Sequence, residues 1–147
     1  MSKEIIQTTK VPTPIGPYSQ AVIANGFLFA SGQVAFNPAT GELVLTDIQA
    51  ETRQVMENIK AILEEAKLSF AHVVKTSIFL SDMQLFAQNI ANELEKAGVQ
   101  AVSDPMFYQS IERAFQKTLA TGMDAATIKG IENSKTMTLV STASRGG

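Results

Sequence analysis

The chain has 147 residues, 45% of them hydrophobic, with 12 basic against 14 acidic side chains, a net charge of −2 and no cysteine. That length fits one domain able to bury roughly 70% of its unfolded surface, while the charge balance supplies no basic block for nucleic acid and the missing thiols exclude a disulfide framework or thiolate site. No run approaches the ~20 apolar residues of a membrane helix, and Met1-Ser2-Lys3-Glu4 lacks the basic and apolar regions of a leader, so a cytoplasmic address is the expectation.

Ala21-Val22-Ile23-Ala24 and Phe27-Leu28-Phe29-Ala30 flank Asn25-Gly26, whose tolerance of positive φ predicts a type I′ hairpin. Val34-Ala35-Phe36 and Leu43-Val44-Leu45 surround Asn37-Pro38-Ala39-Thr40-Gly41, which predicts a second, longer connection between antiparallel strands. Thr46-Asp47-Ile48-Gln49 has capping-box spacing with Thr46 as the cap. The helix it opens carries Ile48, Thr52, Val55, Ile59, Ile62, Leu63 and Ala66 as one apolar stripe, with Glu51, Arg53, Glu57, Lys60, Glu64 and Glu65 on the other faces. Lys67 falls where a helix end favours left-handed φ, a modest strain for a residue other than glycine. Val73 to Leu80 alternates with the period of a strand.

Phe86, Ile90 and Leu94 begin a second helix closed by Gly98. Asp104-Pro105 reads as a cap followed by a first-turn proline, and Tyr108, Ile111, Phe115 and Leu119 continue a helical stripe, predicting a helix over 104–120. Asp124 could cap a further short turn ending near Gly130, and the β-branched run Thr136–Ala143 predicts a closing strand before a frayed tail. Phosphate-loop, zinc-ligand and nucleophile-elbow patterns are absent. Glu64-Glu65 and the Glu93/Glu95 pair suit solvated helix faces, and His72, the lone histidine, reads as a surface imidazole.

Ile15-Gly16-Pro17-Tyr18-Ser19-Gln20-Ala21-Val22 with Asn25 through Gln33, then Asn37–Val44, the run from Asp47 to Ala66, and Val73–Met83 resemble the RidA/YjgF family of reactive-intermediate deaminases. The resemblance covers residues 1–87, and 88–147 form a divergent completion of the same single domain. It implies an α+β fold, a mostly antiparallel sheet with helices packed on one face, here with a more helical C-terminal part. It also implies hydrolysis of enamines and imines of the 2-iminobutanoate and 2-iminopropanoate kind to 2-oxo acids and ammonia. No metal or cofactor takes part, the partner is a small carboxylate-bearing metabolite, and the pocket lies between subunits of a homotrimer.

Such chemistry must hold the carboxylate, protonate the C=N group and place a water on its carbon. Carried over by the matching segments, Tyr18 is the catalytic candidate bordering the pocket, and Ser31 and Gly32 are the substrate-binding candidates. The family's pocket Asn counts onto Ile90, leaving Asn89 one place away as the nearest amide. Where the family shows Pro-x-Arg this chain reads Pro105-Met106-Phe107, and the family's water-positioning Glu counts onto Gly122. Arg113 is the candidate replacement cation if its helix faces the pocket, and Arg145 if the tail folds back; a solvated surface charge is the ordinary alternative for both.

Three readings follow. The first is a RidA-like deaminase impaired by the absent Arg and Glu. The second is a non-catalytic small-molecule-binding or interaction protein that keeps the half-site of Tyr18 and Ser31-Gly32. The third is a recombined or frameshifted chain, since the likeness breaks sharply near Ala87. A helix over 104–120 would also deprive the sheet of a strand and disfavour the trimer.

Overall fold

The computed structural model describes residues 2–12, 18–80, 91–99, 102–107 and 136–144. Strands β1 (Glu4–Ile6), β2 (Ala21–Ala24), β3 (Phe27–Ala30), β4 (Val73–Leu80), β5 (Val102–Phe107) and β6 (Thr136–Ser144) form one sheet in the order β1-β2-β3-β6-β4-β5. All neighbours are antiparallel except β4 and β5, which run parallel. Helix α1 (Ile48–Glu65) packs on β6 and against the short α2 (Ala91–Lys96).

The predicted hairpin forms as expected. Ala24 faces Phe27 across Asn25 (φ 53°) and Gly26 (φ 80°), two left-handed residues whose twist matches that of the flanking strands. The second connection is slighter: Phe36 and Leu43 make an isolated bridge, and Asn37 N–H donates to Glu42 C=O at 2.8 Å.

Period-two patterning sorts the sheet into two faces. Ile6, Ala21, Ile23, Leu28, Ala30, Val73 and Ile78 are buried on the face toward α1, whose Ile48, Thr52, Val55, Ile59, Ile62 and Leu63 are also buried. Each fully buried Leu, Ile or Val among them contributes about 1.5–3 kcal/mol. On the opposite face Ile5 pairs with Val22 and Val22 with Phe29, a cross-strand row whose Phe29 is 46% exposed in the protomer.

Two expectations about helix starts change. Asp47, not Thr46, caps α1: its carboxylate accepts from Ala50 N–H at 2.7 Å, and an acid at this end meets the positive pole of the helix. The segment expected to open a helix at Asp104-Pro105 is instead strand β5, with Ser77 opposite Asp104 and Ile78 opposite Pro105. Proline is tolerated there because β5 lies at the sheet edge, where a missing N–H leaves no ladder partner wanting. The sheet therefore has its edge strand, and the argument against the trimer from a lost strand falls away. The rest of that predicted helix, the Asp124 turn and the tail lie outside the described residues, as do Phe86 and Ile90.

Both helices end in the same way. Leu68 N–H donates to Leu63 C=O at 2.8 Å and Lys67 N–H to Glu64 C=O at 2.9 Å, with Lys67 at φ 61°. Val99 N–H donates to Leu94 C=O and Gly98 N–H to Glu95 C=O, both at 3.0 Å, with Gly98 at φ 81°. These are Schellman endings, one with the customary glycine and one forcing a lysine into left-handed backbone, as the sequence predicts.

Candidate functional site

The β2–β3 hairpin brings the family-matched residues together at its open end. Its register pairs Ala21 with Ala30. One step further Ser31 N–H donates to Gln20 C=O at 3.0 Å, and the Ser31 hydroxyl donates to Ser19 C=O at 2.6 Å. The peptide joining Ser19 to Gln20, one residue after Tyr18, is thereby held beside Ser31. Tyr18 is 43% exposed, while Ser31 and Gly32 are half-buried.

Two amides that sequence patterning did not single out brace this end. Gln20, 3% exposed, accepts from Thr8 N–H at 2.7 Å and donates to Thr8 C=O at 3.1 Å and Pro12 C=O at 3.2 Å. Asn58, 1% exposed on α1, donates to Val34 C=O at 3.3 Å and Phe36 C=O at 2.8 Å, with its own oxygen accepting from Gln54 at 3.0 Å. Asn58 thus ties the strand segment that follows Ser31-Gly32 to the helix. Its signal in the sequence was its place in the apolar stripe, three residues after Val55 and four before Ile62.

Two acids expected on solvated helix faces are buried. Glu51 is 1% exposed and lies three residues after Ile48 and four before Val55, inside the inward stripe. Glu93 is buried and meets Arg53 at 3.5 Å and Lys96 at 3.7 Å, an ion-pair group joining α1 to α2. Glu64 and Glu65 are exposed as expected. His72 is also exposed and acts as a local cap, its Nδ1 accepting from Ser69 N–H at 3.1 Å. Among the described residues no cluster of His, Cys, Asp and Glu could hold a metal ion, and no helix is long and apolar enough to cross a membrane.

The remaining candidates divide. Asn89, Arg113 and Arg145 lie outside the described residues. Pro105, Met106 and Phe107 stand on β5, opposite Ile78, Phe79 and Leu80 of β4, so the segment where the resemblance expects arginine is a strand and carries none.

A mixed, largely antiparallel sheet with helices on one face, ending a hairpin in a Tyr-Ser and Ser-Gly pair, defines an α+β domain of the RidA/YjgF type. The family model for Endoribonuclease L-PSP matches residues 8–108, and the chain belongs to that family, which takes in RutC and RidA/YjgF proteins. It is 52% identical over 88 residues to a RutC family protein of Pyrococcus abyssi, covering 60% of this chain and 69% of the relative. A RutC family protein of Pyrococcus horikoshii is 55% identical over 86 residues, covering 58% and 68%. The likeness in fold spans more. A Rid-family protein from Yersinia pestis, described as of unknown function, superposes with a TM-score of 0.76 at 31% identity over 97% of this chain and 99% of that one. TdcF of E. coli with bound serine does so with a TM-score of 0.71 at 26% identity, over 97% and 99%. The family match therefore reaches past Ala87 through β5.

Proposed function

We propose that this protein is a RidA-like hydrolytic deaminase of small, carboxylate-bearing enamines and imines, acting without metal or cofactor. The observation that supports this reading most is the Ser31 hydroxyl bonded at 2.6 Å to the C=O of Ser19, the residue after Tyr18, within the segment that the family model matches.

In the reaction the enamine tautomerises to the imine, water adds to the C=N carbon, and the nitrogen gains the proton that water gives up. The resulting carbinolamine collapses, C=O forms, and ammonia leaves with a second proton. Tyr18 supplies the phenol that donates to the substrate at the pocket edge, and main-chain groups of Ser31-Gly32 hold the substrate's polar end. Asn89 and Arg113 are the proposed further contacts. The serine bound to TdcF supports a ligand of this size and polarity. The pocket is completed between subunits of a homotrimer, and the open row Ile5–Val22–Phe29 supports burial of this sheet face by another copy. A cytoplasmic location goes with this reading.

The test is ammonia release from enzymatically generated 2-aminoacrylate. A rate above buffer supports deamination, and a folded protein that leaves the buffer rate unchanged overturns it.

A second reading rests on Pro105-Met106-Phe107. A charge-assisted fork to a carboxylate contributes about 1.5–3 kcal/mol, ten- to hundredfold in affinity, and β5 offers no guanidinium. On that reading the chain binds a small metabolite without turnover. Calorimetry with serine and with a 2-oxo acid, alongside the ammonia assay, separates the two: binding without release favours the second.

A further inference from the structure

We propose that Gln20 is the positioning residue of the Tyr18/Ser31 half-site, a role that deepens the deaminase reading and rests on it for its catalytic consequence. Two successive residues are pinned by three sets of bonds. The Ser19 carbonyl accepts the Ser31 hydroxyl, the Gln20 carbonyl accepts Ser31 N–H, and the Gln20 side chain grips Thr8 and Pro12. Tyr18 immediately precedes this pinned pair.

The chemistry of the head group explains why an amide stands here. Thr8 N–H needs an acceptor, while Thr8 C=O and Pro12 C=O need donors; only a primary amide presents one acceptor and two donors from one planar group. A carboxylate would face two carbonyl oxygens, and an apolar isostere would leave Thr8 N–H without its partner inside the fold. The Gln20 side chain thus ties Thr8 and Pro12 to the residue that opens onto β2. Its main chain meanwhile sets the height of Ser31 on the opposite strand. Gln20 does not touch substrate in this scheme; it decides where Tyr18 and Ser31-Gly32 stand relative to each other.

The test exploits a chain with two tyrosines and no tryptophan, so that in a Tyr108→Phe background Tyr18 is the sole emitter. Iodide quenching of that emission is measured for the parent, Gln20→Ala and Gln20→Glu, with circular dichroism as the check on folding. Both variants are expected to change the quenching of Tyr18, and Gln20→Glu to recover part of the parent value on acidification, because a protonated carboxyl regains one O–H donor. Turnover should fall on the order of tenfold to hundredfold, the penalty for a misplaced catalytic group, and Gln20→Ala added to Tyr18→Phe should cost little more than Tyr18→Phe alone. Unchanged quenching in folded variants, or additive losses, overturns the proposal.

Hydrogen exchange on the unaltered protein answers the same question if both variants fail to fold. Thr8 N–H and Ser31 N–H, both bonded to Gln20, should be protected together; a freely exchanging Thr8 beside a protected Ser31 overturns the proposal. Quenching and exchange need no turnover. A silent ammonia assay with the expected Tyr18 response therefore sinks the deaminase reading alone, while normal turnover in the Gln20 variants sinks the positioning role alone.

Discussion

The β2–β3 hairpin and the β4–β6–β5 side of the sheet are assembled by opposite strategies. The hairpin joins neighbours in sequence through a two-residue turn, and its open end is locked by bonds from Ser31 to Ser19 and Gln20. The other side depends on β6, the last strand, entering the middle of the sheet, where Ala143 lies opposite Leu28 on one flank and Val73 on the other. Half of the site is thus built by short-range pairing, and the sheet that supports it is closed by one of the longest-range pairings in the chain. Local pairing keeps the Ser19–Ser31 geometry defined even where β5, at the far edge of the sheet, carries different side chains from those the resemblance expects.

The seam between the two regions is the place to break this arrangement. Leu28 is fully buried and pairs with both Ile23 and Ala143, so Leu28→Ala should lower stability by about 2–5 kcal/mol in urea unfolding and loosen the junction of hairpin and β6. Asn58→Ala comes next. It takes the amide donor from the Phe36 carbonyl, while the Val34 carbonyl keeps Phe36 N–H at 2.8 Å, and should cost about 1–3 kcal/mol by the same measurement, with faster amide exchange in the segment after Gly32. Ser31→Ala removes one half-buried hydrogen bond, about 1 kcal/mol in stability, yet should lower turnover more than Asn58→Ala does, because it strikes the half-site directly.

The helix ends give the finest comparison. Lys67 and Gly98 hold the same left-handed post, so Lys67→Gly should raise the melting temperature, relieving about 1 kcal/mol of backbone strain, while Gly98→Ala should lower it by a similar amount. Among the described residues no atom would crowd a Cβ at Gly98, so the loss would report backbone conformation.

What could be read in the sequence follows the same division. Asn25-Gly26, the stripe from Ile48 to Ala66, Lys67, β4 and β6 announce themselves through turn chemistry and periodicity, which are local. The hairpin was legible for that reason, whereas Tyr18 and Ser31-Gly32 stood out only through the family resemblance. Asp104-Pro105 misleads because a helix cap and an edge strand both accept that pair, and only the neighbouring β4 decides between them. Glu51 and Asn58 were hidden by their polarity: a stripe read from apolar residues alone omits the buried polar positions within it. Gln20 was hidden differently, since its partners Thr8 and Pro12 are set by tertiary folding and leave no periodic trace.

On the proposed function, the half-site at Tyr18 and Ser31-Gly32 supports hydrolysis of an enamine or imine. Ammonia release from enzymatically generated 2-aminoacrylate tests it most directly, comparing the unaltered protein with Tyr18→Phe and Ser31→Ala. Release above the buffer rate that falls in both variants is the predicted result. A folded protein indistinguishable from buffer, or variants indistinguishable from the unaltered protein, would contradict it.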